Sequence, residues 1–96
     1  MTIQHIKVRI LPILKKEGVE KAAIFGSFAR GTNKAKSDID LLVKLKKNKS
    51  LLDLVGLKIE LEQKLGRKVD VITYNSLNPH LRKIILDEQK IIYEKS

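Results

Sequence analysis

The sequence has 96 residues, and its 20 lysines and arginines outnumber 11 acidic residues to give a formal net charge of +9. This length predicts a single domain over residues 1–96, without room for a second substrate-binding domain, and the charge predicts an anionic partner such as a nucleotide, a nucleic acid or an acidic protein surface. Cysteine is absent, which excludes disulfides and thiolate chemistry, and the two histidines, His5 and His80, are too far apart to form a zinc-binding pattern.

The N-terminal apolar residues are interleaved with polar and charged ones, so we expect neither a signal peptide nor a membrane span, and the expected compartment is the cytoplasm. The four aromatic residues do not alternate with the basic ones and therefore offer no platform for stacking bases. A dedicated single-strand binder is not expected, and contact with nucleic acid is expected only indirectly.

The first predicted element is an amphipathic helix that begins after Thr2 and stops at Gly18. Its apolar residues recur at helical spacing: Ile3, Ile6, Ile10, Ile13 and Leu14. Pro12 lies inside this helix and has no amide hydrogen to donate, so we expect a kink or a break between Arg9 and Leu11.

Short apolar runs predict four β-strands, at residues 21–25, 39–43, 68–73 and 91–93. Ser50 and Asp53 form a capping pattern at the start of a helix whose leucines continue to Gly66, and Asn78 begins a last helix. Residues 87–90 are expected to turn the chain into the last strand. The basic loop 44–49 is expected to be a solvated turn, with contact to a nucleic acid or a partner as the alternative.

Small and polar residues follow the first strand in the order Gly26, Ser27, Phe28, Ala29, Arg30, Gly31. Gly26 has no Cβ, so a phosphate group can approach the backbone closely. Ser27 offers a hydroxyl group and an N–H at the start of a predicted short helix, where free N–H groups attract anions. This turn is therefore a candidate phosphate site.

Two carboxylates alternate at the start of the second strand. The period of two places Asp38 and Asp40 on one face and the apolar Ile39 and Leu41 on the other. Like charges this close repel each other, and a hard divalent cation with oxygen ligands, such as Mg²⁺, relieves the repulsion. The alternative is that Asp38 caps a turn and that Asp40 is a solvated strand residue.

The order Gly-Ser, three residues, Gly, then Ser-Asp-x-Asp resembles the signature of the polymerase-β-type nucleotidyltransferase superfamily, and the small size resembles its minimal nucleotidyltransferase (MNT) branch. The resemblance covers nearly the whole chain. It implies an α/β fold with a small mixed sheet flanked by helices. It also implies transfer of a nucleoside monophosphate, with ATP as the expected donor, to a hydroxyl group, often by an antitoxin paired with a HEPN-domain ribonuclease toxin.

The same resemblance implies roles for particular residues. Asp38 and Asp40 would hold one or two Mg²⁺ ions against the triphosphate, and Asp70 would complete the metal site and orient the attacking hydroxyl. The alternative for Asp70 is a surface aspartate on a strand. Arg30 would contact the phosphates or, alternatively, pair with an acid such as Glu20.

Three functions are consistent with these residues. The first is a nucleotidyltransferase acting on a protein hydroxyl, such as a tyrosine of a HEPN toxin. The second is an antitoxin that neutralises its toxin by binding alone. The third is transfer to a small molecule of the aminoglycoside type, which usually requires a further domain to hold the acceptor.

Overall fold

The fold, described over residues 1–95 by a computed structural model, alternates helices and strands along the chain. The first half contains helix α1 (Ile3–Lys16), strand β1 (Val19–Phe25), the short helix α2 (Ser27–Arg30) and strand β2 (Ile39–Leu45). The second half contains helix α3 (Leu51–Leu65), strand β3 (Val69–Thr73), a 3₁₀ turn (Tyr74–Ser76), helix α4 (Pro79–Glu88) and strand β4 (Lys90–Glu94).

The four strands form one mixed sheet in the order β3-β2-β1-β4. Strand β1 is antiparallel to both β2 and β4, whereas β2 and β3 are parallel. Helix α3 makes the crossover between the two parallel strands, as a parallel connection requires. The mixed sheet flanked by helices that the sequence predicted is confirmed.

The two faces of the sheet bury different sets of residues. Helices α1 and α3 pack over one face, and the largest fully buried side chains there include Ile6, Ile10, Leu14, Ile24, Leu41, Leu57 and Leu61. A smaller cluster on the other face contains Ala23, Phe25, Leu42 and Leu77, with Ile85 and Leu86 of α4 packed against it. Asp40 follows the same period as Leu42, so its side chain lies on the face with the smaller cluster.

Most predicted ends of the helices are confirmed. Thr2 Oγ1 accepts a hydrogen bond from the His5 N–H at 3.2 Å, and Gly66 ends α3 in a left-handed conformation. The break expected at Pro12 is absent, because α1 runs without interruption to Lys16. Val8, whose carbonyl loses its partner, is exposed like Pro12, so water can replace the lost hydrogen bond.

One boundary was predicted wrongly. Helix α4 continues through Asp87 to Glu88, so these two residues form its last turn and do not belong to the following connection. None of the helices described in residues 1–95 has the length and apolar character needed to cross a membrane.

Candidate active site

Gly26 forms the turn between β1 and α2, and Asp40 explains why this residue is glycine. Its φ of 74° and ψ of −148° are accessible to few other residues. A Cβ at Gly26 would overlap the Asp40 Oδ2 and lie only 3.0 Å from the Asp40 Cγ. The close approach that the sequence predicted therefore exists, but in this structure the approaching group is the Asp40 carboxylate.

Asp40 and Asp70 occupy equivalent positions on the two parallel strands, directly opposite each other in register. Burial raises the pKa of Asp40, and the nearby carboxylates of Asp70 and Asp38 raise it further, while Arg30 lowers it. On its other side Asp40 pairs with Phe25, the last residue of β1. The carboxylate pair therefore lies beside the turn at Gly26.

Asp38 is less closely associated with this pair. It precedes β2, is exposed, and places its Oδ2 3.9 Å from the Lys68 Nζ. Within residues 1–95 the structure contains no group of three His, Cys, Asp or Glu side chains already arranged to hold a metal ion. The sequence predicted that Asp38 and Asp40 form the central pair, whereas the structure brings Asp40 and Asp70 together. A metal-binding role for Asp38 stays a prediction.

Arg30 pairs with Glu88 and not with Glu20, the partner suggested from the sequence. The Arg30 Nη1 donates to both carboxylate oxygens of Glu88, at 3.3 and 3.2 Å. The Glu88 Oε1 also accepts a hydrogen bond from the Gly26 N–H at 2.9 Å. The Gly26 N–H, on the turn predicted to hold phosphate, is thus bonded to a carboxylate of α4.

Arg67 is a second residue near the site that sequence reasoning missed. It donates to the carbonyl oxygens of Ala35 and Ser37, at 3.1 and 3.2 Å, and its guanidinium carbon lies 5.6 Å from the centre of the Phe28 ring. Through these contacts Arg67 ties the loop before Asp38 to α2. No sequence motif marks either Arg67 or Glu88, because their partners are distant along the chain.

The chemistry of the carboxylate pair fits a hard divalent cation. The available donors at Asp40 and Asp70 are carboxylate oxygens, the ligands that Mg²⁺ prefers, and no sulfur or imidazole donor was found among residues 1–95 in a metal-binding group. The raised pKa of Asp40 shows that the charge there is incompletely compensated. A bound cation would supply that compensation.

Comparison with known proteins gives the family. Residues 9–96 match the family described as "Polymerase beta, Nucleotidyltransferase". The Methanocaldococcus jannaschii protein MJ0435, named provisionally as a protein adenylyltransferase, is 58% identical over 88 residues, which cover 92% of this chain and 95% of that protein. The protein adenylyltransferase MntA of Thermococcus cleftensis is 38% identical over 93 residues, which cover 92% of this chain and 93% of MntA.

Solved structures agree with this assignment. One named provisionally as a minimal nucleotidyltransferase is 35% identical, with a TM-score of 0.80, and the match covers 94% of this chain and 95% of that one. A chain from the complex of a tri-AMPylated Shewanella oneidensis HEPN toxin with its MNT antitoxin has a TM-score of 0.74 at 19% identity, covering 96% of this chain and 72% of that one, which shows a shared fold. This chain belongs to the polymerase beta nucleotidyltransferase family, with the fold of its minimal members, and is a nucleotidyltransferase.

Proposed function

We propose that this nucleotidyltransferase transfers AMP from ATP to a protein hydroxyl, and that the acceptor is a tyrosine of a HEPN-type toxin that the chain silences as its antitoxin. The observation that carries the proposal is the Asp40–Asp70 pair beside the Gly26–Ser27 turn. The names of the relatives support adenylyl transfer to protein. The tri-AMPylated toxin in the S. oneidensis complex supports a HEPN partner.

In the proposed reaction the acceptor oxygen forms a bond to the α-phosphorus of ATP. The bond from that phosphorus to the oxygen bridging to the β-phosphorus breaks, and pyrophosphate leaves with the electron pair. The acceptor proton passes to the carboxylate of Asp70, which is half-buried at the edge of the site. Asp70 thus acts on the attacking oxygen, while Asp40 lies between it and the turn.

Asp40 and Asp70, with Asp38, would hold the Mg²⁺. When bound there, Mg²⁺ supplies neutralisation of the charge on the α-phosphoryl group and on the departing pyrophosphate. Asp38 needs only to exchange its distant contact with Lys68, 3.9 Å away, to join the other two acids. An exposed ion pair of this kind contributes roughly 0–1 kcal/mol, so its loss costs little.

Ser27 and Arg30 are the proposed phosphate-binding residues, on the turn that Gly26 makes. Ser27 is the first residue of α2, beside the carboxylate pair, and offers its hydroxyl group. The Arg30 side chain is 53% exposed although it pairs with Glu88. Its remaining N–H groups are therefore accessible to a phosphate oxygen.

The proposal is tested by incubating the chain with ATP labelled on the α-phosphate, Mg²⁺ and a HEPN-type protein, followed by mass spectrometry of the acceptor. Wild-type protein should add AMP to tyrosine. Asp70→Asn should still bind ATP and transfer at least a hundredfold more slowly, about 2.7 kcal/mol of lost transition-state stabilisation. Asp87→Asn, a change on the exposed side of α4, is the matched control and should transfer normally.

Two outcomes point to the other functions. If the wild-type chain silences the toxin without transferring label, and Asp70→Asn silences it equally well, the chain neutralises by contact alone. If label passes to an aminoglycoside and never to protein, the acceptor is a small molecule. Either result overturns the proposed protein adenylyl transfer.

A further inference from the structure

A second candidate site lies at the opposite end of β2 from Asp40. It is a cavity of about 650 Å³ formed where β2 and β3 end, between the loop before α3 and the 3₁₀ turn. Four residues along β2 separate Asp40 from Lys44, the first lysine of its wall, a distance of about 13 Å in an extended strand. The cavity is therefore distinct from the carboxylate pair, and its volume falls within the roughly 300–1,000 Å³ of small-molecule sites.

The wall of this cavity is strongly basic. It includes Lys44, Lys46, Lys47 and Lys49, and none of these four ammonium groups forms an ion pair within the described part of the chain. Glu20 is the acidic residue of the lining. Such a concentration of one charge attracts anions, and the concave wall strengthens the field.

Two of the lysines converge. The Lys46 Cδ and the Lys49 Cε each lie 3.5 Å from the point where a Cβ on Gly18 would stand. Asp53 lies near enough to Lys49 for its pKa to be lowered by that charge, but its carboxylate is already bonded to the Ser50 N–H and hydroxyl. The lysines therefore retain positive charge that no neighbouring acid fully offsets.

The cavity offers charge but no surface for stacking a base. Tyr74 is the aromatic residue in the lining, and the Lys21 ammonium lies over its ring at 5.2 Å from the centre. The Tyr74 hydroxyl donates to the Gln89 Oε1 at 2.7 Å. Both the face and the polar end of this side chain are in use, so recognition here would depend on phosphate and not on base identity.

We propose that this cavity binds a chain of phosphate groups, independently of the nucleotidyl-transfer site. Two sources supply this chemistry: a free polyphosphate, and the backbone of a single-stranded nucleic acid. Both present several closely spaced negative charges, which match the four lysines better than a single carboxylate would. In either case binding weakens as salt rises, because bound counterions are released.

The test uses two probes, inorganic tripolyphosphate measured by calorimetry and a fluorescein-labelled twelve-nucleotide oligothymidylate measured by anisotropy. EDTA is present throughout, so that a metal-dependent contribution from the Asp40 site is removed. The cavity variant is Lys46→Gln with Lys47→Gln, both exposed residues of the loop. The matched control is Lys15→Gln with Lys64→Gln, which removes the same charge from exposed positions on α1 and α3.

We expect at least one probe to bind the wild-type protein and to bind the cavity variant tenfold or more weakly, with less than a threefold effect in the control. A selective loss for tripolyphosphate identifies a free polyphosphate ligand. A selective loss for the oligonucleotide, with a salt dependence reduced by about 0.7 per lost phosphate contact, identifies a nucleic acid backbone. No binding of either probe, or an equal loss in both variants, overturns the proposal, because the lysines would then contribute only net charge.

Discussion

Glu88, the last residue of α4, accepts a hydrogen bond from the backbone N–H of Gly26, 62 positions earlier, at 2.9 Å. Its side chain is only 18% exposed, and the same carboxylate pairs with Arg30. One acid of the C-terminal helix therefore holds both ends of the short segment that turns from β1 into α2. The position of the candidate phosphate site depends on this tertiary contact.

Removing the Glu88 carboxylate should destabilise the fold. We expect Glu88→Ala to lower the free energy of unfolding by about 1–3 kcal/mol, because the Gly26 N–H loses its partner in a largely buried position. Glu88→Gln retains an acceptor oxygen and loses the charge, so its cost should be smaller. Urea unfolding measures both, with Asp87→Ala as the exposed control expected within about 0.5 kcal/mol of wild type. Equal stability of Glu88→Ala and wild type would contradict this role.

Alanine at Gly26 and alanine at Gly31 should differ in cost. Both glycines have a φ of 74°, but only at Gly26 would the new Cβ meet Asp40, whereas nothing lies within 4 Å at Gly31. We expect Gly31→Ala to cost about 1 kcal/mol of unfolding free energy and Gly26→Ala roughly 3 kcal/mol. Combining Gly26→Ala with Asp40→Ala should recover part of the loss in a double-mutant cycle. Strictly additive effects would show that Asp40 does not impose the glycine.

The raised pKa of Asp40 predicts a pH dependence of stability. A carboxyl whose pKa is higher in the folded state binds its proton more tightly there, so folding is favoured at low pH and the benefit is lost as pH rises through the folded pKa. Without ligand, Asp40→Asn should therefore raise the unfolding free energy at pH 7, and this gain should disappear near pH 4. Thermal unfolding of both proteins across this range measures the difference, and a gain independent of pH would exclude the explanation.

Mg²⁺ together with ATP should stabilise the folded chain. A ligand at one hundred times its Kd adds about 2.7 kcal/mol to the unfolding free energy, and EDTA should reverse any part that depends on metal. The double variant Asp38→Asn, Asp40→Asn should lose the shift in Tm, and Asp40→Asn with Asp70→Asn should lose it as well. Asp87→Asn should keep it. An unchanged shift in both double variants would show that these carboxylates are not the ligands.

The sequence by itself determined the elements and the composition of the candidate site, because both are local properties. The period of 3.6 in α1 and the period of two in β2 state which side chains point to the core, wherever the partner element lies. The spacing from Gly26 to Asp40 likewise placed the turn and its acids on consecutive elements. Pro12 misled this reasoning, since an exposed carbonyl that water can reach does not require the helix to break.

Only the tertiary structure decided which groups meet. Strand register places Asp70 opposite Asp40 and leaves Asp38 outside the sheet, although the sequence spacing pairs Asp38 with Asp40. The packing of α4 brings Glu88 to Gly26 and Arg30, where a short-range argument proposed Glu20. Periodicity specifies a face and not a neighbour; register and helix docking are set by long-range packing of the whole core, and a local pattern does not contain that information.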